Sequence, residues 1–115
     1  MSEPKEFTRY LKKVTPEDLL KIEELLQECP RDLDILDWAA FANYSSGHHQ
    51  RAVELYRRCI ELEPNSASFR YFLGSSLFQL GEVAGAEVEW AKVMELDAEG
   101  KFRSRAGEKL RMLKR

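Results

Sequence analysis

RAVELYRRCIELEPNS, residues 51–66, is answered thirty-four positions later by GAEVEWAKVMELDAEG, residues 85–100. Each stretch puts Ala second, a large aromatic four places on, then a small apolar residue, then Glu-Leu and an acid. The correspondence extends on both sides. Gly47 pairs with Gly81, Ala52 with Ala86, Tyr56 with Trp90, Cys59 with Val93 and Leu62 with Leu96. Pro30 and Pro64 share the phase, and Ala98 takes the next such place. Self-similarity at this period signals a stack of supersecondary units, none of which buries its apolar face alone. Each unit reads as two helices: 33–45 with 49–62, and 67–79 with 83–96.

The punctuation agrees. Gly47 and Gly81 follow the first helix of each pair, where a left-handed closing residue suits Gly. Pro64 cannot continue a helix interior and ends the second helix. Ala52 and Ala86 are small enough for two helices to cross closely, whereas a Leu there would overpack by about 1–3 kcal/mol. Tyr56 and Trp90 lie one turn further along the same face and are expected to fill the gap between helices.

Over residues 33–100 the pattern resembles the tetratricopeptide repeat. LDWAAFANYSSGHHQRAVELYRRCIELEP resembles it, and RYFLGSSLFQLGEVAGAEVEWAKVMELDA resembles it more closely. Leu73-Gly74, Leu77, Gly81, Ala86 and Trp90 match the family spacing without a gap. The first unit departs from the pattern. Leu36 replaces the usual Trp, Ala39-Ala40 replace Leu-Gly, and Asn43 stands where an aromatic is common. In the second unit Ala98 replaces Pro. The resemblance implies an all-α fold, a right-handed α-α superhelix of helix-turn-helix repeats with a C-terminal capping helix.

The rest of the chain is expected to serve the same stack, because about three units are normally needed. Thr15-Pro16-Glu17-Asp18 reads as a helix start: a cap, Pro at the first helical place, then acids that favour the dipole. Leu19, Ile22, Leu25 and Leu26 follow as an apolar stripe ending before Pro30. This is the second helix of a degenerate repeat spanning 1–32, with Phe7, Tyr10, Leu11 and Val14 forming its short first helix. Residues 33–66 and 67–100 are then the two full repeats. Phe102, Ala106, Leu110 and Leu113 make one stripe in 101–115, with Lys101, Arg103, Arg105, Lys109 and Arg111 mostly off it. That pattern is expected of a terminal capping helix with a wet outer face.

Composition narrows the function. The 115-residue chain has a net charge of -2, which does not favour wholesale attraction to nucleic acid. The charge is unevenly placed: residues 16–64 carry eleven acids and five bases, and residues 100–115 seven bases and one acid. The two cysteines, Cys29 and Cys59, make no disulfide framework. The first fifteen residues are charged and lack an apolar segment, and no run approaches a membrane span. A reducing, cytoplasmic setting is expected. No catalytic constellation is present. His48-His49 is the only histidine site and reads as a solvated turn. Cys59 reads as a small core residue, and Glu28 beside Cys29 does not favour a reactive thiol. A non-enzymatic chain without metal or cofactor is expected.

The first helix of each pair carries a second stripe, away from the packing motif. Asp34, Asp37, Phe41 and Tyr44 share a face in one unit; Ser68, Tyr71, Ser75 and Phe78 share one in the next. Residues thirty-four apart align in such a stack, giving the ladders Tyr10–Tyr44–Phe78–Met112, Phe7–Phe41–Ser75 and Glu3–Asp37–Tyr71–Arg105. In the tetratricopeptide family this side lines the groove that holds extended peptides or partner helices. By resemblance, Asp34, Asp37, Phe41, Tyr44, Tyr71, Ser75, Phe78 and Gln79 are the candidate contacts. Tyr44 and Phe78 also fit packing between neighbouring first helices. Phe41 and Tyr71 are expected to stay free of it, because Ala40 and Gly74 take the inter-helix contact. The family's carboxylate-gripping Lys and Asn are missing: the matching places hold Asp37, Phe41, Tyr71 and Phe72.

The implied function is a protein-binding module, a scaffold or small chaperone, whose partner is a peptide or helix of apolar and basic character. Two alternatives come from the basic tail. It docks on the acidic body of another copy or folds back on its own groove, or it holds RNA or an anionic membrane surface.

Overall fold

The computed structural model describes residues 13–97 and 100–114. They form six α-helices: α1 (Pro16–Glu28), α2 (Leu33–Ser45), α3 (His49–Leu62), α4 (Ala67–Gln79), α5 (Val83–Leu96) and α6 (Lys101–Leu113). Each helix packs on the next in sequence, and α4 also touches α2 and α6. This is a stack of antiparallel helical hairpins, elongated to 43 × 29 × 25 Å. The helix expected around residues 7–14 lies outside the described residues, as do the ladder positions Glu3, Phe7 and Tyr10.

Local chemistry sets the boundaries. At α1, Thr15 Oγ1 accepts from the Asp18 amide at 3.1 Å while Asp18 Oδ2 accepts from the Thr15 amide at 3.0 Å, a reciprocal capping box ahead of Pro16. Asp32 caps α2 through the Ile35 amide, and Ser66 caps α4 through the Phe69 amide. Gly47 and Gly81 both take φ of 84°. Each closes its helix with the 6→1 bond of a Schellman turn: the His48 amide donates to Asn43 O, and the Glu82 amide to Leu77 O.

The core runs the length of the stack. Ala52 and Ala86 are fully buried, and Tyr56 and Trp90 are each 1% exposed beside them. Methyl-sized side chains let the helix axes approach, and the aromatic one turn on fills the remaining space. Cys59 and Val93 occupy the following turn and are equally buried. In α1, Ile22 and Leu26 are buried; Leu25, expected on the same stripe, is 37% exposed.

Partly enclosed polar links join helices within and between repeats. Arg51 on α3 grips Glu23 on α1 through two hydrogen bonds, of 3.0 and 2.8 Å. Arg70 on α4 pairs with Glu89 on α5 at 3.0 Å, both side chains about 15% exposed, and also donates to Pro64 O. Such bidentate or enclosed guanidinium pairs fix the relative rotation of helices more than they add net stability.

The helix starts Leu33, Ala67 and Lys101 are thirty-four apart, and so are the ends Ser45, Gln79 and Leu113. The capping helix α6 therefore stands as the first helix of a further unit. It lies beside α4 as α4 lies beside α2.

Candidate functional site

Because α2, α4 and α6 are equivalent first helices, they form one continuous wall. Rings cross it from helix to helix. Phe41 of α2 meets Phe72 of α4 edge-on at 5.4 Å, and Phe72 meets Phe102 of α6 edge-on at 6.0 Å. Phe72 also contacts Tyr44 at 5.3 Å, Tyr71 at 5.3 Å and stacks on Tyr56 at 5.9 Å. It is the hub through which the aromatic wall joins the core. Offset and edge-to-face pairs of this kind hold their geometry by the ring quadrupoles.

A cavity of about 390 Å³ opens on this wall. Its floor is Phe41, Phe69, Phe72 and Phe102, with Ser68 between them. Ser68 stands thirty-four residues from both Asp34 and Phe102, so a small side chain falls where the third helix carries a ring. The volume is in the range of pockets that take an apolar group of ligand size, about 300–1,000 Å³. The rim is charged. Asp37 stands on the α2 side, and Lys101 and Arg105 on the α6 side. Both cations lie over the Phe102 ring, with Lys101 Nζ 5.4 Å and Arg105 Cζ 5.6 Å from its centroid.

Of the residues singled out from sequence, the cavity unites Asp37, Phe41, Lys101 and Arg105. Asp34 and Gln79 are exposed away from it. Tyr44 is half-buried among Phe41, Phe72 and His49, so its packing role is real. Phe78 is 41% exposed and leans on Trp90 at 5.9 Å. Arg103 donates to Met94 O, Lys109 is half-buried, and Arg111 is exposed.

Two expectations are corrected. Tyr71, expected to stay free, is only 7% exposed, because α6 lays Phe102 on it at 5.6 Å and Trp90 closes from the other side. Ser75 is likewise 7% exposed, its hydroxyl donating to Tyr71 O at 3.1 Å. Phe69 and Phe72 are not among the candidate contacts read from sequence, and Ser68 lies on the stripe without being one of them. The signal was present: Phe69 and Phe72 are three apart, hence on one helix face, next to Ser68.

Asp37 has a further effect inside the fold. Burial pushes the Cys59 thiol up to about 12, and the Asp37 charge adds to the shift. Cys59 is thus an inert core residue, while Cys29 is exposed. Among the described residues, no helix is long and apolar enough to cross a membrane, and no three His, Cys, Asp or Glu gather as a metal site.

Comparison with known proteins gives the fold independent support. No protein-family model matches the chain. Residues of the chain are 38% identical over 53 positions to the interferon-induced protein with tetratricopeptide repeats 2 of Cricetulus griseus; the match covers 46% of this chain and 11% of that protein. The matched part of the chain therefore spans about a ninth of that relative's length. Among solved structures it is similar to the type III secretion translocator chaperone SycD of Yersinia enterocolitica, with TM-score 0.81 and 19% identity over 94% of this chain and 85% of that one. PcrH from Pseudomonas aeruginosa gives TM-score 0.67 and 17% identity, covering 91% and 98%. A MamA D159K mutant gives 0.69 and 20%, covering 78% and 52%.

Proposed function

We propose that this chain, a tetratricopeptide-repeat protein in fold and in repeat signature, is a protein-interaction module: a scaffold, adaptor or small chaperone that seats a segment of another protein against α2, α4 and α6. The observation that carries this reading is the phenylalanine-floored cavity shared by those three helices, with charged side chains at its rim. A rigid aromatic floor gives a partner's apolar side chain a desolvated anchor, and anchors of that kind dominate peptide affinity. The likeness in fold to a protein described as a translocator chaperone supports the same reading. In it, residues 1–32 are a degenerate repeat, 33–66 and 67–100 full repeats, and 101–115 the cap that completes the binding wall. Two unpaired cysteines fit a reducing cytoplasmic setting. No catalysis is part of this reading.

The test is occlusion. Ser68→Phe puts a ring into the middle of the cavity without touching the inter-repeat motif. An immobilised library of short peptides is expected to show a wild-type subset with large apolar residues, and Ser68→Phe, with an unchanged circular dichroism spectrum, is expected to lose it. Equal binding by both proteins would refute the assignment.

A second reading has its own observation. Helix α1 carries Glu17, Asp18, Glu23, Glu24 and Glu28 against Lys21, whereas α6 carries Lys101, Arg103, Arg105, Lys109 and Arg111 against Glu108. Copies joined α6 to α1 would pair these surfaces, and the SycD structure is itself described as a dimer. Light scattering that shows association at low salt, lost at high salt and in Lys109→Glu/Arg111→Glu, is the expected result. A monomer under both conditions excludes it.

A further inference from the structure

We propose that the cavity is polarised and selects a segment in which a bulky apolar side chain is flanked closely on one side by acidic residues, directed toward α6; this deepens the groove reading above and rests on it. The floor supplies no charge selectivity, so the rim decides. On the α6 side two cations converge on one ring, Lys101 at 5.4 Å and Arg105 at 5.6 Å from the Phe102 centroid. Both side chains are exposed, and among the described residues neither takes part in a salt bridge. Their spacing of four residues puts them on one helix face, one turn apart. The other bases of α6 are differently disposed: Arg103 is turned back to Met94 O, and neither Lys109 nor Arg111 reaches the cavity.

The opposite rim is Asp37, half-buried on α2. A carboxylate entering beside Asp37 is repelled, and one entering beside Lys101 and Arg105 is attracted. The difference orients the bound segment. Its apolar side chain fills the space over Ser68, and its acids lie toward α6. The acidic body read from sequence points to a basic partner. The cavity reverses that polarity, because α6 contributes its cations at this one place. Charge complementarity at a rim acts on orientation and selectivity, with the apolar anchor supplying most of the affinity.

The experiment uses the full chain and fluorescein-labelled short peptides with a central Leu-Phe, carrying either a Glu pair or a Lys pair on the N-terminal or the C-terminal side. Anisotropy titrations are expected to give the Glu peptide about two- to thirtyfold tighter binding at low salt, the sum of two exposed rim pairs. Lys101→Glu/Arg105→Glu, both exposed sites, should invert the preference while the circular dichroism spectrum stays that of the folded chain. Ser68→Phe should abolish binding of either peptide. If the Lys peptide binds as well or better and remains sensitive to Ser68→Phe, the polarity is wrong while the groove reading stands. If neither peptide binds, the groove reading falls and this inference with it. If single-stranded RNA displaces the Glu peptide equally well, or Ser68→Phe leaves binding intact, α6 is a generic anion surface and the proposal is overturned.

Discussion

The indole of Trp90 lies directly on Gly74: a β-carbon built there would stand 2.6 Å from Nε1 and 2.8 Å from Cδ1. Nε1 in turn donates to Tyr71 O at 3.2 Å, which locks the ring against α4. Thirty-four residues earlier the same two places hold Ala40 and Tyr56, both buried. The smaller phenol ring goes with the extra methyl, and the larger indole goes with none. The two repeats have solved one packing problem with two volume-matched pairs.

Gly74→Ala is therefore expected to lose about 1–3 kcal/mol by overpacking, although alanine has the better helix propensity. Trp90→Tyr alone loses the hydrogen bond and leaves a void. Combined, the two changes recreate the pair of the first repeat. Urea denaturation of the four proteins should show a favourable coupling of about 1 kcal/mol, the double variant being more stable than the sum predicts. Strict additivity would mean that the contact does not limit the packing.

The repeat was legible because its markers are local. Gly47, Gly81 and Pro64 punctuate the chain through backbone restrictions that act within one turn, and Ala52, Ala86, Tyr56 and Trp90 repeat on one face. The helices fall at the boundaries those markers imply. The cavity was legible only in part. Asp37 and Phe41 could be read from the stripe on α2, but the burial of Tyr71 depends on Phe102, which is thirty-one residues away on α6. Nothing within α4 records that cover. Phe72 shows the same limit: among the described residues its ring partners besides the adjacent Tyr71 come from α2, α3 and α6, and only the stack brings them together.

Gly47 and Gly81 offer a cleaner backbone test. Each has φ of 84°, and a β-carbon there would meet nothing within 4 Å. Alanine at either position would meet no steric neighbour, so its cost is that of the left-handed conformation, about 1 kcal/mol. The two substitutions should be nearly equal in thermal denaturation. A much larger loss at one would reveal a packing role that the open space argues against.

The cysteines separate by reactivity. Cys29 is exposed and Cys59 buried, so one thiol per native chain should react with Ellman's reagent, both should react in denaturant, and Cys29→Ser should abolish the native reaction. The pH dependence follows from the sign of the shift. The Cys59 thiol goes from an ordinary 9.0 to about 12 on folding. Below pH 9 both states hold the proton and this residue contributes no pH dependence. Between pH 9 and 12 the unfolded thiol ionises first, so stability declines as pH rises. Cys59→Ala, compared with wild type in chemical denaturation across that window, should show a shallower decline.

Asp97 holds the binding wall at its last corner. Its Oδ2 accepts from the Phe102 amide at 3.1 Å, and its carboxylate folds so closely over Gly100 that a β-carbon there would collide with it. It thus caps α6, whose own preceding residue is Gly100 and has no side chain to do so. Asp97→Ala should cost about 1 kcal/mol, and Asp97→Asn, a comparable cap, much less. The loss should be local. Hydrogen exchange is expected to quicken in the first turn of α6 while α2 through α5 keep their protection. Because Lys101, Phe102 and Arg105 all sit in that turn and the next, peptide affinity should fall with it. A variant that melts as a whole, or that keeps full affinity with α6 exchanging freely, would show that α6 is not held as part of the binding wall.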